Sequence, residues 1–448
     1  MEKERADYIQ CIRDEHGDAK GRLQALAAIA SSDVLAHGKP VPFSFVPTLH
    51  NRDDMAFYEG VASMTAAILG KVITRYLEDP GYRALFGFPP EIERLILLPC
   101  GYGQLLPLAR IDLFVDEHDK SFKFCEFNAD GAAGMSRDAA IGAELEKTAS
   151  FRRFAETRRS VRRFELIDSW VQAFLRVWAS DPLSKARPVP TVAVTDFTES
   201  AVMSDFTMFI RAFERAGVHA RFVDTRGFSF DGQTLRDAAD GTRIDAVYRR
   251  AVTSEIYTHL EECGALIDAV EASRVCLIGH FRTNVIHTKM VNVALFDESR
   301  EEFLTPDEMA FVDAHVCRTH RLEEGAVDLA QVKAEREKWI VKPADDYGGR
   351  GVFAGVDFSD AQWEGIVDAH LGRGFIVQEF YPPHHVDVVR PEKSAEGSCA
   401  VESWESMPGF YLYDGRLAGF YHRLGKGGVI AIGEAGGICA PVFGVDLD

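Results

Sequence analysis

Positive charge is scarce in this 448-residue chain: 50 Lys and Arg stand against 69 Asp and Glu, a net charge of −19. Nucleic acid and anionic membrane surfaces need a basic face, so neither is an expected partner. A triphosphate stays allowed, because one local cluster of cations can hold it within an acidic protein. Metal-binding cysteine patterns are missing too. The eight cysteines, at positions 11, 100, 125, 263, 276, 317, 399 and 439, form no CxxC and no zinc-like spacing with histidine. They read as reduced thiols in a cytoplasmic protein, and no neighbour visibly activates one as a nucleophile. The longest apolar runs, such as LILLPC and FIVQEFY, fall far short of a bilayer span. The first residues, MEKERADYIQCIRDEHGD, hold no apolar h-region, so no signal peptide is expected. Walker A (GxxxxGK followed by Ser or Thr) and GxGxxG loops, internal repeats and low-complexity tracts are all absent from the sequence.

What is present is the composition of a globular protein, 46% hydrophobic and 27% charged, with length for two or three domains or one large composite. Residues 1–40 show helical spacing around Leu23, Leu26 and Ile29. A second helix is expected over 55–80, stopped by Asp79-Pro80-Gly81. RLILLPC (94–100) reads as a buried strand, and ARIDLFVDEHDKSFKFCEFNAD as a hairpin. A long helix is expected over 151–182. From 188 to 282 strands alternate with helices (PTVAVTDF, DFTMFIRAFERAGV, HARFVD, DAVYRRA, RVCLIG), the rhythm of a small α/β layer with a parallel sheet. Residues 284–330 read as mostly helical and 382–400 as a polar loop. KWIVKPADDYGGRGVFAG reads as strand, Gly-rich loop and strand, FIVQEFYPP as a strand, and YLYDGRLAGFYHRLG as a hairpin turning at Asp414-Gly415.

Four groups of residues carry chemistry. Glu126 and Asn128 share one strand face, since strand side chains repeat every two residues, and Asp112 on the partner strand can face them. Two carboxylates and an amide oxygen are hard ligands suited to Mg²⁺; the plain alternative is a solvated hairpin face. Lys342 ends an apolar strand and leads into Gly348, Gly349, Arg350 and Gly351, where backbone N–H groups can approach a polyanion; the alternative is a Gly-rich turn. Gln378, Glu379 and Tyr381 can meet a nucleobase edge and ribose, or simply end a core strand. Arg110, Arg250, Lys289 and Arg423 are isolated cations at strand ends, where most such residues are surface charges.

Taken together, these pieces resemble the permuted ATP-grasp domain of the glutathione synthetase and glutathionylspermidine synthetase families. ARIDLF with FCEFNADG is similar to the families' metal-binding hairpin, Ile286-His287-Thr288-Lys289 to the first ATP lysine, VKPADDYGGRGV to the second ATP lysine and lid, FIVQEF to the adenine linker, and DAVYRR to the strand that carries a substrate-binding arginine. Order is the specific sign. The Glu-x-Asn strand precedes Lys289, as in the permuted families. The resemblance spans roughly residues 95 to 430 as a series of gapped motifs.

The resemblance implies an α/β (α+β), circularly permuted ATP-grasp fold with an inserted small parallel α/β substrate domain. The divisions would be an N-terminal helical segment (1–90), the metal hairpin (91–150), the substrate domain (151–283) and the ATP-binding lid and core (284–448). It implies an ATP-dependent carboxylate–amine ligase forming ADP, phosphate and an amide through an acyl phosphate. Two Mg²⁺ would lie on Asp112, Glu126 and Asn128, with Asp346 as a further ligand left open. Lys289, Lys342, Gly348, Gly349, Gly351, Gln378, Glu379 and Tyr381 would bind ATP. Arg110, Arg350 and Arg423 would be catalytic, and Arg250 and Ser136 would bind substrate. The loop Asp130–Gly–Ala–Ala–Gly–Met–Ser136 lacks the nearer serines of glutathione synthetases, which counts against a glutathione-type substrate and leaves Ser136 as the contact. Expected partners are small-molecule acids and amines or amino acids, with a homodimer left open. The alternatives are an ATP-grasp small-molecule kinase and a non-catalytic nucleotide-binding protein.

Overall fold

The computed structural model describes residues 1–447 except His37, Tyr347, 393–398 and 433–435. Its central sheet is antiparallel. The strands run in the order Ile438–Ala440, Arg416–Gly425, Val401–Tyr413, Leu108–Val115 and Phe122–Asn128. Val401–Tyr413 is long enough to take two partners on one edge: His385–Val389 along its first half and Leu108–Val115 along its second. Asp414 and Gly415 turn the long hairpin with two successive left-handed residues, φ 51° and 74°, the geometry that suits an Asp-Gly hairpin turn. Helix Arg52–Glu78 lies against this sheet. Asn51 starts it with a capping box completed by Asp54, and Tyr58 packs edge-on to Phe420 at 4.8 Å in a core shared with Phe410 and Leu412. By length and composition this helix could cross a membrane, which the uninterrupted apolar runs did not reveal. Here one side of it is buried in the protein core.

A second antiparallel sheet takes the order Thr319–Arg321, Phe375–Glu379, Trp339–Pro343 and Phe353–Ala354. Helix Asp360–His370 packs on it through Trp363 and Val367. The expected parallel layer is present: Cys276–Ile278, Ala246–Arg249, Val192–Asp196 and Ala220–Asp224, all parallel. Continuous apolar strands and amphipathic helices such as Met203–Arg215 account for it, since such strands bury both faces.

Several local expectations are corrected. RLILLPC is not a strand: Pro90–Ile96 is a helix with Pro at its start, burying Ile92, Leu95 and Ile96. Residues 151–182 are not one helix. Ala149–Glu156 ends, Val161–Arg163 pairs with the C-terminal strand Val442–Val445, and Ile167–Ser180 follows. Between 284 and 330 the chain makes only short helices and the strand Thr319–Arg321. In the stretch 382–400, His385–Val389 is a strand with 386, 388 and 389 buried, while 393–398 lie outside the described residues.

Candidate active site

The hairpin that carries Asp112, Glu126 and Asn128 is interrupted by a bulge. Asp112 faces Glu126 and Leu113 faces Phe124, so Cys125 is the extra residue. A bulge bends the strand and re-aims its side chains. Asp112 is wholly buried. Arg110 Nε donates to its Oδ1 at 2.9 Å and Arg110 Nη2 to its Oδ2 at 3.0 Å. Asn128 Nδ2 and Arg423 Nη2 also donate to Oδ2, the former at 2.7 Å. Arg423 lies 3.6 Å from Glu126 as well, so one guanidinium bridges both carboxylates. Burial would raise the Glu126 carboxyl, but Arg423, Lys289 and Arg110 hold it well below the usual carboxylate range. Arg110 also donates to the Ala133 carbonyl at 2.8 Å and lies over the Tyr421 ring, 5.4 Å from its centre. The structure therefore brings Arg110, Asp112, Glu126, Asn128 and Arg423 into one cluster.

Beside this cluster a cleft opens between the two antiparallel sheets. Its walls include Glu126, Lys289, Lys342, Asp346, Gly349, Arg350, Gln378, Glu379, Tyr381 and Arg423. Lys289 donates to the Asp346 carbonyl at 2.8 Å. Burial lowers its ammonium, with Glu126 pulling the other way and Lys342 adding to the fall. Lys342 donates to Gln378 Oε1 at 2.9 Å, and Gln378 Nε2 donates to Thr319 Oγ1 at 2.8 Å. Both amide ends of Gln378 are thus engaged within the protein. Tyr381 stacks on Phe114 at 6.4 Å, at the apolar end of the cleft. Gly348, Gly349 and Gly351 all have positive φ, 74°, 77° and 64°, so the loop conformation requires glycine at each. Arg350 reaches Asp346 at 3.2 Å across this loop. The intervening Tyr347 lies outside the described residues.

Arg250 and Ser136 meet elsewhere, around Asp205. Arg250 pairs with Asp205 at 3.3 Å. The backbone N–H groups of Ser136 and Gly134 donate to the same carboxylate at 3.0 and 3.3 Å, and Ser136 Oγ lies 3.3 Å from Ser204 Oγ. Arg250 is enclosed by the rings of Phe206, Tyr248 and Phe209 at 5.4–5.9 Å, and its Nε and Nη1 have no hydrogen-bond partner among the described residues. Arg250 follows the strand Ala246–Arg249, next to the end of Val192–Asp196. The later strands lie on opposite sides of that central one, so this is where the strand order reverses. Such a point is a common ligand crevice in open parallel sheets. Asp196 lies there too, with burial pushing its carboxyl up to about 7 against the pull of Arg250.

Sequence reading missed several wall residues. Gly428, Val429 and Ile430 form a second glycine-containing rim. The run LGKGGVIAIG just after Arg423 was the available signal. Cys125 and Cys317 also line the cleft. Burial pushes their thiols up to about 12 and about 11, so both are protonated at neutral pH and neither is an activated nucleophile. Asp196 and Thr319 carried no sequence signal at all.

No protein-family model matches the chain, and no curated protein does. Among solved structures it is similar to a glutathione synthetase-like effector from Globodera pallida in its apo form, with 12% identity over 94% of this chain and 96% of that one and a TM-score of 0.54. A D-cycloserine synthetase shares 13% identity over 51% of this chain and 90% of that one, with a TM-score of 0.25, too low to support an argument. The first similarity is one of fold: mixed α/β, of the glutathione synthetase-like type.

Proposed function

We propose that this chain is an ATP- and Mg²⁺-dependent ligase that joins a carboxylate to an amine through an acyl phosphate. The observation that carries this reading is the convergence of Lys289, Lys342 and Glu126 along one cleft, with Asp112 and Asn128 next to Glu126 on the hairpin. The fit to Mg²⁺ rests on donor chemistry: two carboxylates and an amide oxygen, hard ligands on facing strands. Asp346 lies at the cleft wall as a further candidate ligand. Among the described residues no group of three His, Cys, Asp or Glu gathers as a metal site, so Asn128 has to supply the third donor. In the form described Asn128 turns its amide nitrogen to Asp112, and Arg423 takes a cation's place between the carboxylates. Loading would require Arg423 to withdraw and the amide to turn.

Mg²⁺ held by Asp112, Glu126 and Asn128 would neutralise charge on the phosphates. The chain's own residues do the rest. Lys289 and Lys342 hold the α- and β-phosphates. Tyr381 and Phe114 flank the base, and Glu379 meets the ribose. Arg110 and Arg423 stabilise charge on the transferring phosphoryl group and on the tetrahedral intermediate. The glycine loop with Arg350 closes and excludes water that would hydrolyse the acyl phosphate. Arg250 and Ser136, at the end of the parallel sheet, bind the substrate acid. Residues 1–90, 91–150, 151–283 and 284–448 form the helical support, metal hairpin, substrate unit and ATP-binding lid and core.

The test is ADP and phosphate release across a panel of acids and amines, with ¹⁸O-labelled acid. Phosphate that gains one label per turnover, with both acid and amine required, is the expected result. AMP as product or unlabelled phosphate would remove the acyl phosphate. Arg423 seated on both carboxylates favours one other reading, a nucleotide-binding protein without turnover. It would be supported if Mg²⁺ left ATP affinity unchanged.

A further inference from the structure

Three neighbouring strands place a line of side chains behind the cleft. Thr319 is paired directly with Gln378, and Lys342 lies diagonally from Gln378 on the next strand, within reach on the same sheet face. All three are buried, at 4%, 4% and 7% exposure. Chemistry fixes the direction of the line. An ammonium can only donate, so the Gln378 oxygen faces Lys342 (2.9 Å) and its NH₂ must face Thr319 (2.8 Å). Thr319 can accept there because its own hydroxyl proton is spent on the Cys317 carbonyl, 2.9 Å away.

We propose that Thr319 is a positioning residue for the nucleotide: by holding the Gln378 amide in one orientation, it fixes the Lys342 ammonium against the phosphates. This rests on the reading of Lys342 as a phosphate ligand. The neutral acceptor matters. A carboxylate at 378 would hold the lysine equally well but cancel the charge that a phosphate needs, whereas an amide oxygen leaves the full cation and two of its N–H bonds for the cleft. Without the Thr319 oxygen, the amide NH₂ is left buried without a partner. Its turning would bring N–H groups toward an ammonium that already lies near Lys289.

The experiment is calorimetric titration of the full chain with Mg-ATP and, separately, with adenosine. It compares wild type, the near-isosteric Thr319→Val and the conservative Thr319→Ser. Thr319→Val is expected to weaken Mg-ATP binding by about 3–10-fold while adenosine binding stays at the wild-type value, and Thr319→Ser is expected to restore ATP affinity to within about twofold. Equal ATP affinity in wild type and Thr319→Val would overturn the inference and leave the proposed function standing. Equal losses of ATP and adenosine would overturn it too, since damage to packing does not single out the phosphates. A wild-type chain that binds no Mg-ATP would defeat the proposed function and this inference with it.

Discussion

The cleft between the antiparallel sheets and the end of the parallel layer handle charge in opposite ways. At the cleft, among the described residues, Lys342 gives one hydrogen bond to an amide and Lys289 one to a backbone carbonyl, which leaves each with further donors. In the parallel layer, Arg249 has every guanidinium nitrogen engaged. It pairs with Asp130 and donates to the carbonyls of Gly279 and Ala251, both at 2.5 Å, and Asp130 also accepts the Thr253 N–H at 2.6 Å. The contrast separates two jobs. Arg249 and Asp130 tie the parallel layer to the loop that follows Asn128, which fixes where the Leu108–Asn128 hairpin ends. The lysines leave N–H donors facing the cleft, as the proposed phosphate binding would need. Adjacent arginines divide the same way: every guanidinium nitrogen of Arg249 makes a hydrogen bond, while Nε and Nη1 of Arg250 make none among the described residues.

The contrast breaks most visibly if a saturated pair is cut. Arg249→Met keeps much of the side-chain stem but leaves Asp130 buried without its charge partner. Such removals cost about 3–5 kcal/mol, so a large fall in urea midpoint is expected, with any loss of turnover following the fold. An unchanged midpoint would mean that Arg249 does not anchor the loop. At the cleft the order reverses. Glu126→Gln or Asn128→Ala is expected to cut ADP release by about 10²–10³-fold while the unfolding midpoint moves little, because Glu126 is only half-buried. Near-normal turnover by a folded Asn128→Ala chain would end its assignment as a ligand.

Legibility in the sequence follows the range of the forces involved. The hairpin, the parallel layer and the Asp414-Gly415 turn were readable because period-two alternation, apolar strands and turn residues are local signals. The run RLILLPC misled because a short apolar stretch has no period of its own. The deciding signal was Pro90 opening a helix whose buried positions 92, 95 and 96 follow helical spacing. The break at 157–160 escaped because Val161–Arg163 is a strand only through its distant partner, residues 443–445. At the site, each motif was visible but its partners were not. Nothing near Asp112 in sequence announces that Arg423 lies on it, and nothing near Lys342 announces Thr319.

Asp196 sharpens the comparison, being a carboxylate of the parallel layer that makes no ion pair among the described residues. Burial outweighs Arg250 and lifts its carboxyl from 3.8 to about 7. A folded-state value above the unfolded one means that the neutral form favours folding. Its contribution is fully present below about pH 4 and lost as pH rises through about 7. Wild-type stability relative to Asp196→Asn should therefore fall over that window, by about 4 kcal/mol in total, and stay level above it. A flat difference between pH 4 and 8 would show that Asp196 is ionised throughout and compensated by Arg250.

The smallest expected effect concerns the glycine loop, where the cleft's unspent donors would meet a ligand's phosphates. Three left-handed glycines give residues 348–351 little intrinsic stability, and the side chain of Arg350 is 63% exposed, so trypsin can reach the bond after it. Cleavage of a transiently opened segment tracks the population of the open form when reclosing is fast. Bound phosphates would engage the loop's backbone N–H groups and lower that population. Saturating Mg-ATP is therefore expected to slow cleavage after Arg350 by about 3–10-fold. Adenosine, which fills the base end without reaching the loop, should leave the rate as it is. Slowing by both ligands alike would place the effect in the cleft as a whole. Slowing by neither would make 348–351 a fixed turn, and the division between a closed parallel layer and a responsive cleft would then stop at the lysines.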